Sequence, residues 1–449
     1  MKKLFGTDGI RGVANEYPMT TEIAVEVGRA IAHLSLRKGH TPRIIIGKDT
    51  RASGDMFEEA IATGICSLGA DAISMGVIPT PAVALLTRSM RADAGIVISA
   101  SHNPSQDNGI KIFNNEGFKL SDKKEHQIEE LILSGNSQTL FPPVDRTGKL
   151  LRMDDAGDRY IDFLKASFPR NLKPEGTKIV LDCSHGATYK VAPALFSELG
   201  CSVTTLFNQP DGKNINLNCG SQHPEELAAE VLRQNADAGF AFDGDGDRVI
   251  CVDEKGNILT GDRILAICAA LLKKENKLIN NLVVRTVMSN VGLTIAFQKL
   301  GIDSVLTDVG DRYVLEEMQK RGAVIGGEDS GHIIFTQHHT TGDGLITALQ
   351  VLAAMKKEAQ PLSQMAAIMK VFPQMLINLE VKKKPKIESV PEIMAAIKEV
   401  EEKLGDKGRV LVRYSGTQNM CRVMVEGPTR EETEKYCRQI AAVAQNILA

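Results

Sequence analysis

The chain has 449 residues, 43% of them hydrophobic and 24% charged, which is typical of a globular protein with about three domains. Its net charge of −3, with Lys and Arg spread along the chain, argues against a nucleic-acid-binding or membrane-surface protein. No apolar run of about 18 residues predicts a membrane span. The start "MKKLFGTDGIRG" lacks the apolar region of a signal peptide, so we expect none. Eight scattered cysteines without a C-x-x-C pair predict reduced thiols in a cytoplasmic protein.

Helical and strand patterns alternate along most of the chain, which is typical of α/β layering. The first third reads as helix "TEIAVEVGRAIAHL", strand "RIIIGKD", helix "MFEEAIATGICSLG" and strands "AISMG" and "AGIVISAS". The second third reads as strand "KIVLDCSH", helix "YKVAPALFSELG", strand "SVTTLF", helix "PEELAAEVLRQN" and strand "AGFAFDGDGD". A third round has helix "GDRILAICAALLKK", strand "LVVRTV", helix "NVGLTIAFQKLG" and strand "AVIGGEDSGH". These rounds suggest a weak threefold repeat.

The tail has a different pattern. A helix follows "VKKKPKIESVPE", and then come "RVLVRY" and "MCRVMVEG", which predict an antiparallel hairpin in a small α+β domain. We place linkers near "LLRMDDAGD", "DEKGN" and "FPQMLINLEV". The predicted fold class is therefore α/β, with three similar mixed domains at residues 1–152, 153–254 and 255–370 and a smaller C-terminal α+β domain at 371–449.

The strongest candidate site is "FDGDGDRVICVDE", where Asp243, Asp245 and Asp247 follow an apolar strand. Three converging carboxylates suit a hard cation such as Mg²⁺ and leave coordination positions open. A calcium EF-hand is excluded because Arg248 stands where its sharp turn needs glycine, and because strands flank the loop. The alternative is a solvated acidic loop.

A second loop lies in "GIVISASHNPSQDNGIKIF", where Ser101 follows a buried strand. A phosphate on Ser101 would suit the open side of the cation site, with Lys111 and Arg11 available to balance its charge. Ser99 would point to the opposite side of an extended chain. For this stretch alone, a helix cap or polar turn is the ordinary alternative.

Two further loops are weaker on their own. In "GGEDSGH", Glu328 and Ser330 could bind sugar hydroxyls and His332 could act as a general base, although a plain Gly-rich turn also fits. In "RYSGTQNMCR", two guanidiniums, two hydroxyls and a glycine suggest a phosphate clamp, with a simple hairpin turn as the alternative. The residues of this clamp are Arg413, Ser415, Gly416, Thr417 and Arg422.

Together the four loops resemble those of the α-D-phosphohexomutase superfamily, and the resemblance covers essentially the whole chain. "SASHNP" is similar to its phosphoserine loop, "DGDGDR" to its metal loop, "GEDSGH" to its sugar-binding loop and "RYSGT" to its phosphate-binding loop, in the family's order. "LFGTDGIRG", "NINLNCGSQHPEEL" and "VGDRYVLE" resemble the branch that acts on glucosamine phosphates. The phosphomannomutase/phosphoglucomutase branch is the nearest alternative.

The resemblance implies four domains around a central cleft and a resting enzyme phosphorylated on Ser101. One Mg²⁺ per chain would bind that phosphate and the three aspartates. Arg248, Arg11 and Lys111 would face the transferring phosphoryl group, and His332 would be a base candidate beside Lys111. Glu328 and Ser330 would hold sugar hydroxyls. The family usually continues "SGT" with Glu-Pro, whereas this chain has Gln418 and Asn419. The change removes a fixed φ and a charge, and it leaves the rigidity of the clamp and its choice among phosphosugars open.

The implied activity is that of an isomerase that interconverts glucosamine 6-phosphate and glucosamine 1-phosphate through glucosamine 1,6-bisphosphate. Its product would feed the synthesis of UDP-N-acetylglucosamine and cell-wall precursors. A Mg²⁺-dependent phosphosugar phosphatase and a non-catalytic phosphosugar sensor are the remaining alternatives. The resemblance also implies a possible homodimer, and no nucleic-acid or membrane partner is expected.

Overall fold

The computed structural model describes residues 4–6, 8–135, 147–414 and 419–448. The chain forms two compact units. The larger unit comprises Met1–Val287 and Ser304–Ala366, and the smaller unit comprises Met288–Asp303 and Ala367–Ala449. In the part of the chain that the structure describes, no helix is both long and apolar enough to cross a bilayer.

The larger unit begins with a mixed six-stranded sheet of order β1-β5-β4-β2-β3-β6. Its strands and associated helices are, in chain order, β1 (Ile10–Val13), α1 (Thr21–Ser35), β2 (Arg43–Lys48), α2 (Gly54–Ser67), β3 (Asp71–Val77), α3 (Thr80–Ser89), β4 (Ala94–Ile98), β5 (Asp107–Asn114), α4 (Asp122–Leu133) and β6 (Leu150–Arg152). Strand β2 pairs in parallel with β3 and β4, whereas β5 pairs antiparallel with β4 and β1. The strands β1, β5 and β4 are therefore neighbours, and this places the loops at their ends side by side.

A five-stranded sheet of order β11-β10-β9-β7-β8 follows. Its elements are α5 (Ala156–Ser167), β7 (Lys178–Asp182), α6 (Val191–Glu198), β8 (Ser202–Leu206), α7 (Glu225–Gln234), β9 (Ala238–Phe242), β10 (Val249–Asp253) and β11 (Ile258–Leu259). Strand β9 is parallel to β7 and antiparallel to β10. The acidic loop joins β9 to β10, and both of these strands are fully buried.

The third sheet has the order β13-β12-β14-β15. The elements of this part of the chain are α8 (Gly261–Lys274), β12 (Leu282–Thr286), α9 (Val291–Leu300), β13 (Asp303–Thr307), α10 (Asp311–Arg321), β14 (Ile325–Gly327), β15 (Ile333–Phe335), α11 (Gly344–Glu358) and α12 (Leu362–Ala366). Asp343 caps α11 by accepting hydrogen bonds from the backbone N–H groups of Leu345 and Ile346. The loop between β14 and β15 carries the predicted sugar-binding residues.

The C-terminal part forms an antiparallel sheet of order β16-β18-β17 with two helices. Its elements are β16 (Gln374–Glu380), α13 (Pro391–Leu404), β17 (Arg409–Tyr414), β18 (Met420–Glu426) and α14 (Arg430–Leu448). The predicted β17–β18 hairpin is correct. Strand β16 occupies a stretch that we read as a linker, because only Leu379 in this edge strand is buried. Helix α9 belongs to the smaller unit, where the carboxylate of Glu426 accepts a hydrogen bond from Val291 N.

The chain has three mixed sheets with associated helices and a smaller antiparallel sheet with two helices, which agrees with the predicted fold class. The linker predicted near "LLRMDDAGD" lies between β6 and α5, and the one near "DEKGN" lies in the turn between β10 and β11. The four domain boundaries proposed from the sequence stay a prediction.

Candidate active site

Ser101 lies just beyond β4 and faces the acidic loop. Its side chain is buried, and its Oγ donates a 2.5 Å hydrogen bond to Asp243 Oδ2. Its φ of 52° is left-handed, which is uncommon for a serine. Ser99 points elsewhere: its Oγ accepts a hydrogen bond from Ser101 N and donates one to Asp49. Of the two hydroxyls considered from the sequence, only that of Ser101 contacts the acidic loop.

Two residues that the sequence analysis missed hold the main chain of this loop. The buried guanidinium of Arg51 donates to the carbonyl oxygens of Ser101 (3.0 Å) and Asn103 (2.8 Å), and also contacts those of Pro104 and Asp107. From the segment between β8 and α7, Asn216 Nδ2 donates to the carbonyls of Ser101 and Asn103, at 2.9 and 3.0 Å. The strained backbone at Ser101 is therefore fixed from two sides.

The three aspartates of the acidic loop converge as predicted. One carboxylate oxygen from each of Asp243, Asp245 and Asp247 lies within 4.8 Å of the others, and all three residues are buried. The loop packs closely on the Ser101 loop, because a Cβ at Gly244 would lie 2.5 Å from Ser101 O. Glycine is therefore required at position 244 for the two loops to meet.

The donor set of this cluster fits a hard divalent cation. Within the described residues, Asp245 Oδ1 and Asp247 Oδ1 are buried and have no hydrogen-bond partner. Burial and repulsion by Asp247 and Asp245 raise the pKa of Asp243 well above its usual value. A cation bound between the carboxylates would remove that repulsion and satisfy the orphan oxygens, and oxygen-only ligands suit Mg²⁺.

Lys111, on β5, adds a cation to the aspartate cluster. Its Nζ lies 2.8 Å from Asp245 Oδ2, 3.6 Å from Asp247 Oδ2 and 3.3 Å from Asp8 Oδ2. Burial alone would lower the pKa of Lys111, but these three carboxylates outweigh it and raise the pKa, so that the amine stays protonated. Arg11, on β1, contacts Asp8 and reaches Ala100 O at 3.4 Å.

Arg248 approaches Ser101 through His102. Its NH1 lies 3.1 Å from His102 Nδ1, and that nitrogen is 3.2 Å from Ser101 Oγ. Burial, together with the charges of Arg248 and Arg11, lowers the pKa of His102 to about 4. His102 is therefore neutral near pH 7, and its Nδ1 accepts a hydrogen bond from the guanidinium of Arg248.

A ring of acidic and basic side chains connects the aspartate cluster to the sugar loop. In order, its members are Lys111, Asp8, Lys119, Asp311, His332 and Asp247. Lys119 Nζ bridges Asp8 Oδ1 and Asp311 Oδ2, at 2.5 Å each. The buried ring of His332 lies 3.6 Å from both Asp311 and Asp247, and its Nε2 accepts the N–H of Gly342 at 3.2 Å. Its proton is therefore on Nδ1, facing Asp247.

The predicted sugar-binding residues lie in the loop between β14 and β15. Glu328 is half-buried, and its Oε1 accepts the backbone N–H of Gly310 at 3.0 Å, while Ser330 is exposed. The neighbouring Asp329 Oδ1 accepts the backbone N–H of Asp262 at 3.3 Å near the start of α8. Glu328 thus keeps Oε2 for a ligand while Gly310 holds Oε1.

The predicted phosphate clamp lies in the smaller unit and is described in part. Arg413 on β17 and Arg422 on β18 are directly opposite each other in the antiparallel ladder. Like charges in this position repel, and Arg422 Nε is buried without a partner among the described residues. An anion bound between the two guanidiniums would offset their repulsion and would give Arg422 Nε a hydrogen-bond acceptor. Ser415, Gly416, Thr417 and Gln418 lie outside the described residues, while Asn419 O accepts Val381 N.

Comparison with known proteins assigns four consecutive parts of the chain to one family. Profiles of the phosphoglucomutase/phosphomannomutase family match residues 2–139 (alpha/beta/alpha domain I), 158–256 (domain II), 260–372 (domain III) and 376–443 (C-terminal domain). A solved protein of this family from Burkholderia thailandensis has a TM-score of 0.81 at 24% identity, covering 99% of this chain and 97% of its own. An Aspergillus fumigatus N-acetylphosphoglucosamine mutase, solved with GlcNAc-6P and magnesium, has a TM-score of 0.69 at 18% identity, covering 99% and 96%.

Fold and loops together define a phosphohexomutase. A curated phosphoglucosamine mutase of Syntrophus aciditrophicus is 68% identical over 448 residues, which is 100% of both chains. Another, of Syntrophobacter fumaroxidans, is 58% identical over 445 residues, or 99% of each chain. The chain therefore belongs to the phosphoglucosamine mutase family of the phosphohexomutase superfamily, and the predicted family and fold class are confirmed.

Proposed function

We propose that this protein is an isomerase that interconverts glucosamine 6-phosphate and glucosamine 1-phosphate. The observation that carries the proposal is the Ser101 hydroxyl, held 2.5 Å from Asp243 in a buried cluster of three aspartates. Full-length relatives at 58–68% identity that are named phosphoglucosamine mutase support the choice of sugar. We also propose a cytoplasmic location, a possible homodimer, and a product used for UDP-N-acetylglucosamine and cell-wall precursor synthesis.

Ser101 would carry the phosphoryl group in the resting enzyme. The Ser101 Oγ–P bond breaks as a bond forms to O1 of glucosamine 6-phosphate, and this produces the 1,6-bisphosphate. The O1 hydroxyl proton passes to a base, for which His332 is the candidate, and the released Ser101 Oγ takes up a proton. The bisphosphate then reverses its orientation, and Ser101 receives the phosphoryl group from O6. Each end of the sugar must therefore occupy both the transfer site and the clamp.

Transfer of a phosphoryl group depends on charge stabilisation and positioning. Mg²⁺ held by the Ser101 phosphate and by Asp243, Asp245 and Asp247 would neutralise charge on the transferring group. The protonated amine of Lys111 lies among the same carboxylates, which would orient it toward that group. Arg11 would act beside it.

The remaining polar residues would bind the sugar and its second phosphate. Glu328, held at Oε1 by Gly310, would accept a sugar hydroxyl at Oε2, with Ser330 beside it. His332 stays a base candidate, but its Nε2 already accepts Gly342 N–H, so that role requires a substrate hydroxyl to replace this contact. Arg248 would face the transferring group, and the clamp would grip the other phosphate through Arg413, Ser415, Gly416, Thr417 and Arg422.

Two measurements test the proposal. Intact-protein mass should reveal one phosphate on Ser101, which a sensor would not carry. Turnover of glucosamine, glucose and mannose 6-phosphates should then favour glucosamine 6-phosphate and depend on a bisphosphate activator. Dominant activity on mannose or glucose 6-phosphate would indicate a phosphomannomutase/phosphoglucomutase, and release of inorganic phosphate would indicate a phosphatase.

A further inference from the structure

We infer that Asp311 is a specificity-determining residue that binds the C2 ammonium group of the amino sugar. This inference rests on the proposed function. Asp311 is the first residue of α10 and directly follows Gly310, whose N–H holds the sugar-binding carboxylate of Glu328. The two acidic side chains are thereby connected through a single backbone position.

One oxygen of Asp311 is available for a ligand. The two basic groups that face this carboxylate approach it most closely at Oδ2, with Lys119 Nζ at 2.5 Å and His332 Nε2 at 3.6 Å. Within the described residues, Oδ1 accepts no hydrogen bond, and the Asp311 side chain is 15% exposed. A carboxylate can accept hydrogen bonds at both oxygens. An ammonium group can therefore be accommodated at Oδ1 without displacing Lys119.

The distribution of charge in the ring favours Asp311 over Asp8 as the ammonium site. Asp8 is contacted by three cations, Lys111, Lys119 and Arg11. Asp311 has Lys119 as its close cation and shares it with Asp8. The less compensated carboxylate gains more from an added cation.

Other carboxylates near the sugar loop have different partners. Asp329 accepts the backbone N–H of Asp262. Asp247 belongs to the candidate metal cluster, and Glu328 is the proposed ligand of sugar hydroxyls. Asp311 remains as the carboxylate that can distinguish an amino sugar from a neutral one, because glucosamine and glucose 6-phosphates differ only by ammonium in place of hydroxyl at C2.

The test compares the binding of glucosamine 6-phosphate and glucose 6-phosphate by calorimetry, in the wild type and in Asp311→Asn. A charged hydrogen bond contributes about 10-fold to 100-fold in affinity. We expect Asp311→Asn to weaken glucosamine 6-phosphate binding by about that factor and glucose 6-phosphate binding by less than about 3-fold. Asp311→Glu, which keeps the carboxylate, should recover part of the preference. The wild-type preference should also decline at alkaline pH, where the sugar amine loses its proton.

Asp122→Asn serves as the matched control, since Asp122 is an exposed partner of the neighbouring Arg312. It should leave the ratio of the two affinities unchanged. Equal losses for both sugars in Asp311→Asn, or no loss for either, would overturn the role of Asp311. Wild-type turnover of glucosamine 6-phosphate is measured first. Its absence would overturn the proposed function itself, whereas turnover with an unchanged affinity ratio in the variant overturns only this inference.

Discussion

The Oγ of Ser101 donates a 2.5 Å hydrogen bond to Oδ2 of Asp243, although 142 positions separate the two residues in the chain. Packing of two different sheets brings the nucleophile candidate and the metal-ligand candidate together. The glycine at 244 permits this approach. The contact defines the site on which the following expectations depend.

Replacing Ser101 by alanine should abolish mutase turnover, with a loss of at least about 1,000-fold in kcat, because no hydroxyl remains to carry the phosphoryl group. The change removes one hydroxyl, so the melting temperature should change little. Intact mass and steady-state kinetics provide the readouts. Ser99→Ala is the control and should still carry one phosphate. If Ser99→Ala were inactive and unphosphorylated while Ser101→Ala stayed active, Ser99 and not Ser101 would be the phosphorylated residue.

Mg²⁺ should stabilise the protein through the aspartate cluster. At about 100 times its dissociation constant, a ligand of the folded state adds about 2.7 kcal/mol to the free energy of unfolding. We expect Asp245→Asn to lose most of this gain and most of its turnover. Asp154→Asn, a change at an exposed acidic residue, should keep both. Chemical denaturation with and without Mg²⁺ measures the effect, and an equal gain in the wild type and Asp245→Asn would place the ion elsewhere.

Asn216 should act on catalysis through the Ser101 main chain. Asn216→Gly keeps the left-handed φ of 59° but removes the amide that binds the carbonyls of Ser101 and Asn103. A misplaced reacting group costs about 100-fold, so we expect kcat to fall by about 10-fold to 100-fold with little change in KM. The matched control is Asn218→Gly, at an exposed position with φ 51°. Equal kinetics in the two variants would remove Asn216 from a positioning role.

The pair Arg413 and Arg422 should affect substrate binding more than chemistry. Arg422→Gln removes one of two facing guanidiniums, which relieves their repulsion but weakens the grip on a phosphate. We expect KM to rise by about 10-fold or more, with a smaller change in kcat and an unchanged or higher melting temperature. Arg430→Gln, an exposed change at the start of α14, is the control. A kcat loss with unchanged KM would argue against the clamp.

The carboxyl of Asp343 should make stability depend on pH. Burial raises the pKa of Asp343 to about 7, in spite of its hydrogen bonds with Ile346, Tyr160 and Leu345. Because the folded-state pKa lies above the unfolded value, the stabilisation is complete below about pH 4 and is lost as the pH rises through about 7. The loss is at most about 4 kcal/mol.

Asn at position 343 can still cap α11 and does not ionise. Asp343→Asn should therefore flatten the profile between about pH 4 and pH 7 and raise the free energy of unfolding at pH 8. Urea denaturation at each pH measures this. If the free energy of unfolding of the variant depended on pH as steeply as that of the wild type, other groups would be responsible for the pH dependence.

The residues that follow the buried strands could be predicted from the sequence. Alternating helix and strand patterns, and polar residues directly after buried runs, predicted the α/β layers, the three aspartates, Ser101 and Lys111, because these signals are local. The edge strand β16 was missed, since its residues are mostly exposed and resemble a linker. Several residues of the candidate site could therefore be predicted from the sequence alone.

Only the tertiary structure identified Asp8, Arg51, Lys119, Asn216 and Asp311. In the sequence, Arg51 follows the predicted strand "RIIIGKD", and nothing marks it as the residue that holds the carbonyls of the Ser101 loop. Lys119 and Asp311 form an ion pair across 192 positions. The partner of a charged side chain depends on which strands and helices pack together, and hydrophobic periodicity specifies the buried face of each element but not the neighbour that covers it.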